Sequence, residues 1–217
     1  MEMTLHRALA QRKTTKARLA KELETAGFIT TTVGTSGKVK SVPVTEVNKT
    51  ILGNYDRITA LMENLYKLST AINRANNGIG DDTTNLHTVD FDGRQATLSS
   101  ILAEQEVLRY RKQMVDIMSK QLANVKNHIA SSEADVEARC DQFLVSMSGG
   151  DKSKLSAQDI DQYSTSFHKN NDLKLVDPLG LEARIAKLKD RNEFLEVETD
   201  SKISEINAMT KVEVPDM

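Results

Sequence analysis

Tryptophan is absent, proline occurs three times, cysteine once, and aromatic residues make up only 4 % of the chain. So few aromatics and prolines disfavour wide globular cores and Pro-rich linkers, and leave a composition of Leu, Ala, Lys and Glu that suits helices. The single cysteine, Cys140, excludes an internal disulfide. No stretch approaches the roughly 18 consecutive apolar residues of a membrane span. The N-terminus stays charged from Arg7 through Glu22 and lacks the apolar segment of a signal peptide, so cytoplasmic synthesis is expected. With Lys and Arg numbering 29 against 31 Asp and Glu, the formal net charge is -2, and no excess of one sign points to nucleic acid.

What the chain does have is helical periodicity. From Thr4 to Ala26, Leu5, Leu9, Leu19 and Leu23 recur at helical spacing before Gly27. This first helix carries a basic strip of Arg7, Arg12, Lys13, Lys16, Arg18 and Lys21, either a solvated face or a surface for an acidic partner or phosphate backbone. The β-branched runs Phe28–Val33 and Lys38–Pro43, separated by Gly34-Thr35-Ser36-Gly37, predict a hairpin, with Thr45 capping the helix that follows. That second helix carries Val47, Ile51, Tyr55, Ile58, Met62, Leu65, Leu68 and Ile72, and stops at Asn76-Asn77-Gly78. A loop over Gly78–Asp82 leads to a second hairpin, Thr88–Phe91 and Arg94–Thr97, turned by Asp92-Gly93. The repeated helix-then-hairpin order fits an old duplication and convergent wiring equally well.

The third helix, Thr97 to about Met147, is the most informative segment. Ile101, Leu108, Val115, Leu122, Ile129, Val136 and Phe143 are all apolar and fall seven residues apart. A straight helix drifts about 20° per heptad against such a repeat, so an unbroken stripe implies left-handed supercoiling around neighbours. The companion seam is mixed: Leu98, then Gln105, Lys112, Ser119, Lys126 and Glu133, then Cys140 and Met147. One narrow apolar stripe beside a wet flank suits a multi-helix bundle better than a two-stranded zipper. Such a helix would be about 75 Å long at about 1.5 Å per residue, which predicts an elongated molecule. Beyond Ser148-Gly149-Gly150, Ser156 with Asp159 predicts a capped short helix to about Asn170. Asp177-Pro178 opens a last helix carrying Leu181, Ile185, Leu188, Leu195, Ile203 and Ile206, with Asn192 and Thr199 in its seam. The tail from Thr210 to Pro215 alternates like a strand.

Candidate chemistry is sparse. His6, His87, His128 and His168 lack the spacing of a metal site. Cys140 occupies a seam position that a small apolar residue fills, and Met114, Met118 and Met147 read as gap-fillers. Gly34 to Lys38 departs from a phosphate-binding loop, which needs four residues between its glycines and Ser or Thr after the Lys. Glu133, Asp135 and Glu137 read as solvation and partner pairing on a helix without a cleft.

The run Ala71-Ile72-Asn73-Arg74-Ala75-Asn76, with Thr88-Val89, Asp92-Gly93-Arg94, Thr97-Leu98, Leu102-Ala103 and Leu108, resembles the septicolysin-like family of small helical bacterial and phage proteins. Leu5, Ala8, Leu9 and Arg12 fit it too. The ending Glu205-Ile206-Asn207-Ala208 into Lys211-Val212-Glu213-Val214 is similar to virion proteins of large tailed bacteriophages. The resemblance implies a non-enzymatic, self-associating or particle-associated protein. It transfers no functional residue. Pore formation, suggested by the family name, finds no apolar segment to carry it.

The expectation is therefore a mainly α protein, an elongated antiparallel bundle or coiled coil with short hairpins. Residues 1–147 would form the main bundle, 148–177 a linker with a short helix, and 178–217 a returning helix with a terminal strand. Its role would be structural, in assembly, as a virion component contacting other copies or other virion proteins through the second, third and last helices, with the stripe from Ile101 to Phe143 as the helical seam, and through the hairpin edges. No catalytic residue, metal, cofactor, small-molecule substrate or membrane partner is expected. The alternative is a helical adaptor or chaperone whose basic first helix binds an acidic partner or nucleic acid.

Overall fold

The computed structural model describes residues 3–76 and 88–210. The loop expected at 78–82, His87 and the strand expected beyond Thr210 lie outside the described residues. The elements run α1 (Leu5–Thr25), β1 (Thr30–Val33), β2 (Lys38–Val39), β3 (Val42–Pro43), α2 (Val44–Asn76), β4 (Thr88–Phe91), β5 (Arg94–Thr97), α3 (Leu98–Met147), α4 (Ala157–Asn171), β6 (Leu173–Val176) and α5 (Leu181–Met209). The protein is mainly α, and its described strands form three two-stranded antiparallel pairs. The long helix α3 is continuous over 50 residues.

Local chemistry explains most boundaries. The Thr4 hydroxyl accepts from the Arg7 N–H to start α1. Ser156 and Asp159 close a reciprocal capping box on α4, as their spacing predicts. Both carboxylate oxygens of Asp177 are used at the next helix start, accepting from the N–H groups of Leu179 at 3.2 Å and Leu181 at 2.7 Å. Asp92 and Gly93 both hold positive φ, 54° and 71°, the conformation a two-residue turn with the right twist demands, so β4 and β5 pair as the sequence indicates. Thr45, expected as a cap, lies inside α2, which begins at Val44.

The first predicted hairpin is wired differently. β1 pairs with β6 far downstream, Thr30 opposite Val176 and Val33 opposite Leu173, while β2 and β3 form their own small pair around Lys40. Gly34, at φ +52°, turns the chain out of β1, and its N–H donates to the Asp172 carbonyl at 2.8 Å. Pairing with β6 brings in Val176, which is buried, whereas Lys38, Val42 and Pro43 of the nearer strands stay exposed. Burial decides the partner, and proximity in sequence does not.

The described residues form two compact units, each assembled from separate stretches of sequence. The first comprises Met1–Ala26, Tyr55–Ile117 and Ala183–Met217; the second comprises Gly27–Asn54 and Met118–Glu182. In the first unit, Ile101 and Leu108 of α3 join Val89, Phe91 and Ala96 of the β4–β5 hairpin and Leu195 and Ile206 of α5 in one buried cluster. In the second, Phe143 of α3 meets the rings of Tyr163 and Phe167 on α4, with centroids 6.5 Å and 5.3 Å away. The Phe28 N–H there donates to Gln121 on α3 at 2.8 Å, and Asn54 of α2 reaches the Gly27 carbonyl at 3.0 Å. Among the described residues no helix is long and apolar enough to cross a membrane.

Candidate functional site

The seven-residue stripe of α3 turns inward throughout. Ile101, Leu108, Val115 and Val136 are buried, while Leu122, Ile129 and Phe143 are half-buried. Its neighbours come from the chain itself: α5 and the β4–β5 hairpin in the first unit, α4 in the second.

The mixed companion seam has a physical reason in each unit. In the first, Gln105 donates to Asp200 at 3.4 Å and Lys112 pairs with Glu196 at 2.5 Å, both across to α5. In the second, Lys126 pairs with Glu182 at 2.9 Å and Cys140 lies buried with its thiol 3.7 Å from the Ser164 hydroxyl. Half-exposed pairs of this kind fix register and contribute little to stability.

The basic strip of α1 divides in two. Arg12 and Lys16 turn inward to Glu106 of α3, which also accepts from the Ser69 hydroxyl of α2 at 2.5 Å. Burial pushes the Glu106 carboxyl up, but hydrogen bonds from Lys16 and Ser69 and the charges of Arg12 and Lys16 outweigh it and hold it below its ordinary value. This polar junction ties three helices together. Arg7, Lys13, Arg18 and Lys21 remain exposed.

Two further charge clusters follow in the first unit. Arg191 of α5 grips Asp92 in the β4–β5 turn through both guanidinium nitrogens, one at 2.8 Å, and that hydrogen-bonded contact holds the Asp92 carboxyl down. Buried Glu104 pairs with Arg111 one helical face along, beside a cavity of 430 Å³ that Tyr55, Tyr66 and Arg94 also line. The Arg94 guanidinium stands 5.7 Å over the Tyr66 ring.

A cluster with a titratable centre lies in the second unit. His168, near the end of α4, bonds Asp172 through Nδ1 at 2.9 Å and faces Glu137 of α3 through Nε2 at 3.3 Å. The hydrogen bond to Asp172 raises its pKa first, and the charges of Asp172 and Glu137 add to that against desolvation. The last turn of a helix also favours a cation. Glu133 and Ile129 line the adjoining cavity of 310 Å³. Among the described residues, no three His, Cys, Asp or Glu side chains are placed to hold a metal. Gly34, read above against a phosphate-loop pattern, lies against the Asn170 backbone with its N–H given to Asp172.

A groove of about 1270 Å³ lies between α1 and α2 in the first unit. Leu5, Ala8, Leu61, Leu68, Ala71 and Ile72 form its apolar floor and walls. Arg18 and Lys67 stand on the same lining, and no carboxylate occurs among the described residues that line it. The sequence gives no sign of this groove, because Leu68 and Ile72 look like ordinary core positions of an amphipathic helix. A second exposed apolar feature is on α5, where Phe194 is 46 % and Val197 72 % exposed. This one has a sequence signal, since both residues fall off the stripe defined by Leu181, Ile185, Leu195 and Ile206.

Comparison of the chain with protein-family models, with curated proteins and with solved structures finds no match in any of the three.

Proposed function

We propose that this chain is a structural, non-enzymatic assembly protein that acts through helix-face contacts with other copies of itself or with other proteins of a particle. The observation that carries the reading is the apolar groove between α1 and α2, where Leu5 and Ala71 are exposed and Leu61 and Leu68 half-buried above the buried Ala8 and Ile72. Contiguous exposed apolar surface on a folded chain marks an interaction site more often than an idle one. The α3 stripe, already surrounded by the chain's own elements, sets the internal frame, and the groove and the outer face of α5 are left to meet partners. A place in the virion of a tailed bacteriophage is the finer form of this proposal, and it rests on the resemblance described for Ala71–Asn76 and Glu205–Ala208.

Sedimentation velocity on the full chain over a wide concentration range tests the self-contact part. Concentration-dependent species larger than the monomer are expected, and a monomer at every concentration would count against it. Purification of intact particles, with the chain present at fixed stoichiometry, tests the particle part.

The adaptor reading draws on the exposed cations Arg7, Lys13, Arg18 and Lys21 of α1. Glu106 already neutralises the inner pair Arg12 and Lys16, which narrows the basic face. Titration with duplex DNA at about 50 mM salt decides it: steeply salt-dependent binding would favour it, and no binding would remove it.

A further inference from the structure

We infer that the groove between α1 and α2 receives the outer face of α5 from a second copy of this chain, with Phe194 and Val197 entering the apolar floor. The inference deepens the assembly reading above and rests on it. Three observations converge.

The first is shape and spacing. The groove has two helices as walls and an apolar floor including Leu61, Leu68 and Ala71. A trough between two helices accepts a third helix with its apolar residues three or four apart. Phe194 and Val197 are three residues apart, hence neighbours on one face of α5, and both are exposed.

The second is charge. From Arg7 to Lys21, α1 carries six cations and no carboxylate. Two of the six are neutralised internally by Glu106, and Arg18 faces the groove beside Lys67 of α2, itself 2.6 Å from Glu63. From Asp190 to Glu205, α5 carries six carboxylates against two cations. Glu196 is held by Lys112 and Asp200 by Gln105 on the inner side, whereas Asp190 and Glu193 are exposed and border Phe194 and Val197 at helical spacing. The groove presents positive charge around an apolar floor, and α5 presents negative charge around an apolar knob. Such complementarity steers encounter and fixes register, while the apolar contact supplies affinity.

The third is the placement of the two features. Phe194 is off the inward stripe, and the buried positions Leu195 and Ile206 already anchor α5 in its own unit. The exposed pair is therefore not needed for folding the helix onto its neighbours. The Arg191 guanidinium stands 5.4 Å over the Phe194 ring.

The test uses the full chain and sedimentation velocity at micromolar concentration. Val197→Asp, at a position 72 % exposed, puts a charge in the apolar knob beside Phe194; it should weaken self-association at least tenfold. Ala71→Glu places a like charge in the groove and should do the same, with Arg18→Glu as a second groove variant at an exposed site. Circular dichroism checks that each keeps its helix content. The deciding experiment mixes the two classes: Val197→Asp retains an intact groove, Ala71→Glu retains an intact α5, and together they should form a 1:1 complex that neither forms alone. Self-association of Val197→Asp equal to the parent chain, or no complex in the mixture with either groove variant, overturns this contact while the broader assembly reading stands. A parent chain that is monomeric throughout overturns both the contact and the self-association it deepens.

Discussion

Gly34 shows how one backbone atom can decide a connection. A methyl group at its Cα would lie 2.1 Å from the Asn170 carbonyl oxygen, and its φ of +52° already disfavours a side chain. Gly34→Ala should therefore destabilise the second unit by about 1–3 kcal/mol for the backbone conformation alone, with the clash adding to it. A fall in the urea midpoint measures it, and an unchanged midpoint would show that the β1 turn does not depend on this glycine. The same corner holds His168. Its folded pKa is raised by Asp172 and Glu137, so its ion pairs stabilise fully below the unfolded value of about 6.5 and are lost as pH climbs through the raised one. Stability should therefore decline from about pH 6.5 upward, and His168→Gln should flatten that slope. Glu137 and Asp172 are the carboxylates that face the ring, and Glu133 lines the cavity beside it. Neither residue announces its role in sequence. Gly34 looked like part of a hairpin turn because Asp172, which receives its N–H, is far along the chain, and His168 looked like an isolated surface histidine because Glu137 comes from another helix, although Asp172 stands at i,i+4 to it.

The helices were far more legible than the strands. The seven-residue repeat from Ile101 to Phe143 faces inward along its whole length, and the polar companions Lys112 and Lys126 are explained by carboxylates on or beside α5. Asp92-Gly93 sufficed for the β4–β5 pair, since a turn that short carries its own geometry. Strand β6 was invisible: Leu173-Lys174-Leu175-Val176 is four residues long and finds its partner only once the chain has folded back. The graded burial of the stripe yields a prediction. Ile101 is fully buried in the first unit's core, whereas Ile129 is half-buried beside a cavity. Ile101→Ala should cost about 2–5 kcal/mol and Ile129→Ala clearly less, because a half-exposed side chain loses little apolar burial when shortened. Chemical denaturation of the two variants compares them directly. Equal losses would mean that the two halves of the stripe are packed alike.

Self-association leaves a thermodynamic mark on the chain as a whole. A partner that binds only the folded state stabilises it by RT ln(1 + [L]/Kd), about 2.7 kcal/mol when the free partner is at about 100 times Kd. When the partner is another copy, the ligand concentration is the protein concentration, so the melting temperature must climb as the sample is concentrated. A protein without self-contacts has no such dependence while its unfolding stays reversible. Calorimetry across a hundredfold dilution should therefore give a rising melting temperature for the parent chain. Val197→Asp, whose altered side chain faces solvent in the isolated chain, should match the parent at the dilute end and fail to rise at the concentrated end. Equal shifts in both proteins would move the contact away from α5. A flat response in both would leave the apolar groove between α1 and α2 without a second copy to fill it.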